Sequence, residues 1–128
     1  MKFRCLLVIA VSALFFACAT RPQTDTMVCF TGKLVKRGIC GQRVIQLISD
    51  PQGGIGFAQN WTDSLAHKSY ENVFAVGNPC LFPANINEGE TFSFSLTNTP
   101  DSNCIRCMAF TAVPEQKNNI VVGCTQTK

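Results

Sequence analysis

The stretch TFSFSLT at residues 91–97 alternates apolar and hydroxyl-bearing side chains without a break. Phe92, Phe94 and Leu96 fall on one face of an extended chain, and the serines and threonines fall on the other. Such period-two alternation is typical of a strand with one face in the core and one face in water. The stretch therefore predicts an antiparallel sheet whose core contains Phe94.

Shorter apolar segments on both sides of this stretch extend the all-β prediction. The turns between them are rich in glycine, proline, asparagine and aspartate, which often mark the ends of strands. Gly32 lies inside the first segment and indicates a bulge or a bend. One short helix is expected where Thr62 caps a first turn that contains Asp63. Strands are expected at residues 28–35, 43–48, 55–58, 72–76, 104–113 and 119–124.

Many short strands with one short helix indicate a small all-β fold. The expected class is mainly antiparallel, a small barrel or sandwich, and the order of strands, helix and strands is OB-like. The 128 residues of the chain suffice for one such domain and are too few for two. A domain of this size has a thin core, so covalent bonds are expected to help stabilise it.

The N-terminal segment has the pattern of a secretion signal. Lys2 and Arg4 form a short basic start, and residues 5–16 carry no charge. Such a run is too short for a permanent membrane helix, which takes roughly 20 apolar residues, but it suits the apolar centre of a cleaved signal. The protein is therefore expected to be exported, either to a bacterial cell envelope or to the extracellular space.

Two cleavage sites are compatible with the small residues that follow. Ala17 and Ala19 have A-x-A spacing, which gives a signal of residues 1–19. A lipobox that ends at Cys18 gives a signal of residues 1–17 and leaves a lipidated cysteine as the first residue. Membrane attachment is expected only through this lipid, because no later stretch is long and apolar enough to span a bilayer.

A polar tether and one folded domain follow the signal. Residues 18–26 are short of order-forming side chains, and residues 27–128 are expected to form the domain. The chain has 11 lysines and arginines against 8 aspartates and glutamates, but the loss of Lys2 and Arg4 with the signal leaves 9 against 8. The net charge therefore gives no indication of nucleic-acid binding, and the remaining charges are dispersed and form no basic stripe, so no nucleic-acid partner is expected.

Cysteines form the expected covalent framework of the domain. Of the 8 cysteines in the chain, Cys5 lies in the signal and Cys18 lies at the cleavage site. The even number that remains predicts three disulfides. Sequence alone leaves open all of the roughly 15 possible pairings. The cysteines of the domain are Cys29, Cys40, Cys80, Cys104, Cys107 and Cys124.

Cys104 and Cys107 form a C-x-x-C motif, which has more than one interpretation. In the strand expected at residues 104–113 their side chains point to opposite faces, so each needs a partner elsewhere. A redox site instead needs a helix that begins at the motif and lowers the pKa of a thiol. A zinc site needs a second closely spaced pair, and Cys29 and Cys40 lie too far apart. Structural disulfides are preferred, and neither a metal nor another cofactor is expected.

The expected helix carries the single histidine and is flanked by aromatic residues. His67 is expected to be exposed there, without a nucleophile motif to pair with. Phe57, Trp61 and Tyr70 indicate either an aromatic patch for a ligand or the packing of the helix on the sheet. The second interpretation is preferred, because apolar residues at helical spacing usually face a core.

The other polar motifs do not form a catalytic site. Glu88 and Glu90 flank a glycine before a strand, where solvated turn charges are the usual role. The glycine-rich residues 53–56 lack the lysine and the following helix of a phosphate-binding loop. The domain is therefore not expected to be an enzyme.

Several motifs carry cysteine, glycine and proline in turns between apolar strands. They are GICG at residues 38–41 leading into RVIQLI, ENVFAVGNPCLFP at residues 71–83, the strand at residues 89–96, and CIRCMAF at residues 104–110 with Pro114 beyond. Together they resemble small, uncharacterised bacterial lipoproteins with OB-like or barrel-like domains. The resemblance implies lipid attachment at Cys18 and the fold, but no chemistry.

These observations favour a non-catalytic β domain, anchored at a bacterial envelope or secreted, that binds an unidentified partner or has a structural role. One alternative is a thiol–disulfide redox protein that uses Cys104 and Cys107. Another is a secreted protease inhibitor, because small disulfide-bonded domains often present rigid loops to proteases. The sequence does not single out a reactive loop for that alternative.

Overall fold

The structure, a computed structural model, describes residues 27–51, 58–105 and 107–125. The predicted signal and tether, with Cys18, lie outside the described residues, as do residues 55–57 of a predicted strand. The secondary-structure elements are β1 (Phe30–Arg37), β2 (Arg43–Ser49), β3 (Gln59–Asp63), β4 (Lys68–Val76), a 3-10 turn (Pro79–Leu81), β5 (Thr91–Leu96), β6 (Lys117–Asn118) and β7 (Ile120–Val122).

The strands form one mostly antiparallel sheet in the order β3-β4-β2-β1-β5-β7, which confirms the predicted all-β class. β6 lies off this path and pairs with β4 in parallel, with Ala75 opposite Lys117. β7 pairs with β5 in antiparallel, with Leu96 opposite Ile120. Asn119 alone separates β6 from β7, so one short segment pairs with strands at two distant positions of the sheet.

Aromatic rings fill the centre of the core. The ring of Phe94 is fully buried, and its centroid lies 5.5 Å from that of Phe30, 5.7 Å from that of Phe74 and 6.1 Å from that of Phe92. These contacts bring β1, β4 and β5 together. The buried members of the core cluster are Phe30, Leu34, Ile45, Phe74, Val76, Phe82, Phe94 and Ile120.

The predicted strand at residues 91–97 is confirmed as β5, but its burial differs from the expected alternation. Leu96 is exposed, and Ser95 is only 4% exposed. β5 lies between β1 and β7, and Ser95 is paired with Val121 of β7. Leu96 is the last residue of the strand and lies where the chain leaves the sheet.

The predicted bulge at Gly32 is confirmed, because the β1–β2 register shifts between Thr31 and Gly32. A side chain does not fit there. A Cβ on Gly32 would lie 2.7 Å from Cγ2 of Ile45 and 2.9 Å from Cε1 of Phe94. The glycine therefore lets β1 approach the packed rings of the core closely.

The predicted short helix is wrong, because the segment forms the hairpin of β3 and β4. Oδ1 of Asp63 accepts hydrogen bonds from the backbone N–H groups of Leu65 and Ala66, 3.0 Å and 3.2 Å away. This bonding is typical of a helix N-cap, but here it closes the turn between two strands. His67 ends that turn with a φ of 52° and is exposed.

The predicted strand at residues 104–113 is also wrong. Its described residues form no strand, and the chain regains pairing only in the short β6 and β7. A local apolar pattern is therefore not sufficient to form a strand ladder here.

Candidate functional site

The connection between β5 and β6 is the main irregular feature of the domain. It covers residues 97–116, and its described residues form neither helix nor strand. Residues 104–110 are here named the stapled loop, and residues 111–116 the strap. All residues of the stapled loop except 106 are described.

Two disulfides attach the stapled loop to the body of the domain. Cys104 bonds to Cys80 with a Cα–Cα distance of 5.8 Å, and Cys107 bonds to Cys40 with a distance of 5.1 Å. The two cysteines of the C-x-x-C motif thus belong to different bonds, as expected, although the strand from which that expectation came is absent. The third disulfide joins Cys29 to Cys124 and lies outside the loop.

Each partner cysteine lies on a turn fixed by backbone hydrogen bonds. Cys40 lies in the β1–β2 turn, in which the N–H of Gly38 donates to the carbonyl of Gln42 at 2.8 Å. The N–H of Cys40 donates to the side-chain Oε1 of Gln42 at 3.1 Å. Cys80 lies in the 3-10 turn, and its N–H donates to Oδ1 of Asp101 at 3.0 Å. The loop is therefore held against two ordered supports.

A cleft lies between these supports and the stapled loop. Its volume is about 300 Å³, and the sulfurs of both disulfides belong to residues that line it. Ile39 and Ile105 contribute apolar side chains from the turn and from the loop. The lining residues are Ile39, Cys40, Gly41, Pro79, Cys80, Cys104, Ile105 and Cys107.

The stapled loop exposes large apolar side chains to an unusual degree. Ile105 is fully exposed, Met108 is 100% exposed and Phe110 is 82% exposed. Ile39, across the cleft, is 81% exposed. Single exposed apolar residues are common on protein surfaces, but a concentration of them on one covalently held loop is typical of an interaction site.

The backbone of residues 107–114, which include Met108, is extended. The residues from 107 to 114 form neither a turn nor a bend, and none has a positive φ. In an extended chain, residues two apart point to the same side. Met108 and Phe110 are both exposed on this segment, with the small residue Ala109 between them.

The strap fixes the C-terminal side of the stapled loop. The ammonium group of Lys36 donates a hydrogen bond to the carbonyl of Ala112 at 3.1 Å, and Pro114 is buried. The N–H of Gln116 donates to Oε1 of Gln59 at 2.8 Å, and its carbonyl accepts from the N–H of Ala75 at 2.8 Å. The loop is thus clamped on both sides of Met108.

Lys36 also joins the strap to the β3–β4 hairpin. Its ammonium group forms an ion pair with Asp63, whose side chain is 2% exposed, and lies 5.4 Å from the centroid of the Trp61 ring. Burial raises the pKa of the Asp63 carboxyl, but hydrogen bonds from Lys36 and from the N–H groups of Ala66 and Leu65 lower it by more, so the net shift is downward. Asp63 is therefore a charged structural partner of Lys36.

The other polar motifs have structural roles. Oε1 of Glu88 accepts from the N–H of Arg37 at 2.5 Å, and Oε2 of Glu90 accepts from the N–H of Asn87 at 2.7 Å. Both glutamates are exposed turn residues and do not form a carboxylate pair. The glycine-rich residues 53–56 lie outside the described part of the chain.

The predicted aromatic cluster is brought together in part. Trp61 and Tyr70 are partners across β3 and β4, and their rings stack with centroids 6.0 Å apart. The ammonium group of Lys68 lies 5.1 Å from the Tyr70 ring centroid. Phe57, the third predicted member, lies outside the described residues. The pair is a cross-strand contact of the hairpin, which replaces the expected packing of a helix.

Two further findings concern metal binding and membrane spans. Within residues 27–51, 58–105 and 107–125, no group of three or more histidine, cysteine, aspartate and glutamate side chains could hold a metal ion. Across the same ranges, no helix has the length and apolar character that a membrane span requires.

Sequence reasoning missed the exposed apolar residues of the stapled loop. Ile105, Met108 and Phe110 lie in the segment 104–113, for which the sequence predicts a strand. One available signal was the presence of two cysteines within four residues, because bonds from both to distant cysteines can anchor a loop without a strand ladder. Comparison of the chain with protein-family models, with curated proteins and with solved structures finds no match.

Proposed function

We propose that the protein is an exported, non-catalytic binding domain that presents the stapled loop to a protein partner. The observation that carries this proposal is the nearly complete exposure of Ile105, Met108 and Phe110 on a segment held by two disulfides. Leaving such side chains in water costs free energy that a partner surface would recover. Covalent attachment lowers the entropy lost when the loop binds.

We also propose that the sheet forms an OB-like barrel. Such a fold would support the assignment of the protein as a binding domain. β6 pairs with β4 in parallel and β7 pairs with β5, so closure would run through Asn119. In OB barrels the loops after the first and the fourth strand contribute to ligand binding. Here β5, which pairs with β1, takes the place of the fourth strand of an OB barrel. The two loops therefore correspond to the β1–β2 turn and the β5–β6 connection, and the Cys40–Cys107 disulfide joins them.

A redox role for Cys104 and Cys107 is less well supported. A dithiol oxidoreductase alternates between two thiols and one bond within its C-x-x-C motif. Each of these cysteines is instead bonded to a residue on another turn. A framework role therefore fits the geometry better.

The binding function can be tested with the exported protein as bait in an envelope extract. We expect a captured protein whose affinity falls at least about tenfold in the variants Ile105→Asp and Phe110→Asp, because a charge replaces a desolvated apolar contact. The measurement is the Kd of the purified partner for each variant. Leu65→Asp is the matched control, since Leu65 is 65% exposed on the distant hairpin turn. Equal losses in all three variants would remove the loop from the interface.

Lipid anchoring at Cys18 is part of the proposal and has its own test. Cys18→Ala should move the protein from the membrane fraction to the soluble fraction, because it removes the candidate lipid attachment site. Cys5→Ala, within the signal, is the control and should leave the distribution unchanged. A wild-type protein that is already soluble and begins at Thr20 would contradict the anchor.

A further inference from the structure

We infer that the stapled loop binds in the active-site cleft of a serine endopeptidase, with Met108 in its primary specificity pocket. This inference rests on the proposed binding function and names the class of partner. The bond presented to the catalytic serine would be the peptide bond between Met108 and Ala109.

The order of side chains fits such a cleft. Endopeptidases bind a chain in an extended form and take one projecting side chain into a defined pocket. Met108 is 100% exposed near the start of the extended residues 107–114, and it is followed by the small Ala109 and then by the exposed Phe110. The small residue leaves room for the catalytic groups beside the bond, and Phe110 can occupy the next subsite on the same side of the chain.

The covalent framework fits an inhibitor better than a substrate. Cys107 directly precedes Met108 and is bonded to Cys40, and Cys104 is bonded to Cys80. After the bond, Lys36 holds the carbonyl of Ala112 and Pro114 is buried. A loop fixed on both sides pays little entropy on binding, which favours a tight and long-lived complex.

The same clamps would oppose release after cleavage. When the serine hydroxyl adds to the Met108 carbonyl carbon, an ester forms, the bond to the Ala109 nitrogen breaks, and the catalytic base passes the serine proton to that nitrogen. Because the strap holds the segment that begins at Ala109, the new amine stays beside the ester at a high effective concentration. Re-formation of the peptide bond then competes with hydrolysis.

The chemistry of methionine defines the class of pocket. Its side chain is unbranched, apolar and flexible, so it fits an apolar slot and not a pocket built around a carboxylate. The partner is therefore a chymotrypsin-like or subtilisin-like enzyme and not a trypsin-like one. A lipid surface is less favoured, because the exposed residues follow one extended segment and do not form the apolar face of an amphipathic helix.

The test is inhibition of chymotrypsin, subtilisin and trypsin by the exported protein, measured with chromogenic peptide substrates. We expect inhibition of chymotrypsin or subtilisin and none of trypsin. Met108→Gly should raise the inhibition constant by about 100-fold, because it removes the central anchor of the interface. Met27→Gly is the matched control, since Met27 is also exposed but lies before β1, and it should leave the constant unchanged.

A second variant keeps the inference testable if Met108→Gly alters the loop. Met108→Arg should transfer inhibition to trypsin, whose pocket binds a cation. The inference is overturned if wild type inhibits neither apolar-specific enzyme, if it is rapidly cut after Met108 without inhibition, or if the loop binds phosphatidylglycerol vesicles and no enzyme. Loop-dependent capture of a protein that is not a protease would also overturn it, and would leave the proposed binding function intact.

Discussion

Replacing Phe94 by alanine is expected to lower the free energy of unfolding by about 3–5 kcal/mol, the usual cost of removing a buried aromatic ring. The ring is fully buried and lies within 5.5–6.1 Å, centroid to centroid, of the rings of Phe30, Phe74 and Phe92. Its loss would leave a cavity that strands β1, β4 and β5 share. Urea denaturation of the purified protein, followed by circular dichroism, measures the change.

Leu96→Ala provides the control for this prediction. Leu96 is on the same strand and was expected on the same face as Phe94, but it is 39% exposed. Its truncation is expected to cost about 1 kcal/mol or less, because little buried volume is lost. A loss as large as that of Phe94→Ala would mean that the end of β5 is packed and that the burial described for this strand is wrong.

The sheet was predictable wherever strands pair with neighbours that bury one face. The segment at residues 91–97 indicated β5, and the apolar run at residues 43–48 indicated most of β2. In both, the local pattern agrees with the strand that the chain forms. Burial at Ser95 was not predictable, because it depends on which strands lie on either side of β5 and not on the residue itself.

The hairpin of β3 and β4 shows how one local motif can serve two structures. Asp63 accepts two backbone hydrogen bonds from the residues that follow, as a helix cap does. What separates the two outcomes is the pairing of Trp61 with Tyr70 and the ion pair between Asp63 and Lys36, which lies far away in the sequence. Such a long-range contact cannot be derived from a window of the sequence.

The candidate site was predictable in composition but not in arrangement. The even number of cysteines indicated three bonds. Separate partners for Cys104 and Cys107 followed only from the strand predicted at residues 104–113, which the structure does not contain among its described residues. Which partners they have depends on the fold, because only the sheet brings the turn of Cys40 and the turn of Cys80 to the same loop. The exposure of Met108 follows from that pairing, since the bonds replace the strand ladder as the support of the segment.

Removing the disulfide between Cys29 and Cys124 is expected to destabilise the domain more than removing the Cys80–Cys104 disulfide of the stapled loop. The bond joins residues 95 apart in the sequence and ties the chain before β1 to the chain after β7. Closure of a loop of this length restricts the unfolded chain by about 4.7 kcal/mol. The double replacement Cys29→Ala and Cys124→Ala should therefore lower the free energy of unfolding by about that amount.

The double replacement Cys80→Ala and Cys104→Ala is the matched control for this last prediction. Its bond joins residues 24 apart, for which the same relation gives about 3.4 kcal/mol. Cys104 is exposed whereas Cys29 is buried, so packing adds to the difference in the same direction. Urea denaturation of both variants beside wild type measures the two losses. A larger loss in the Cys80 and Cys104 variant would show that the stapled loop, and not the bond between the segments before β1 and after β7, dominates the stability of the domain.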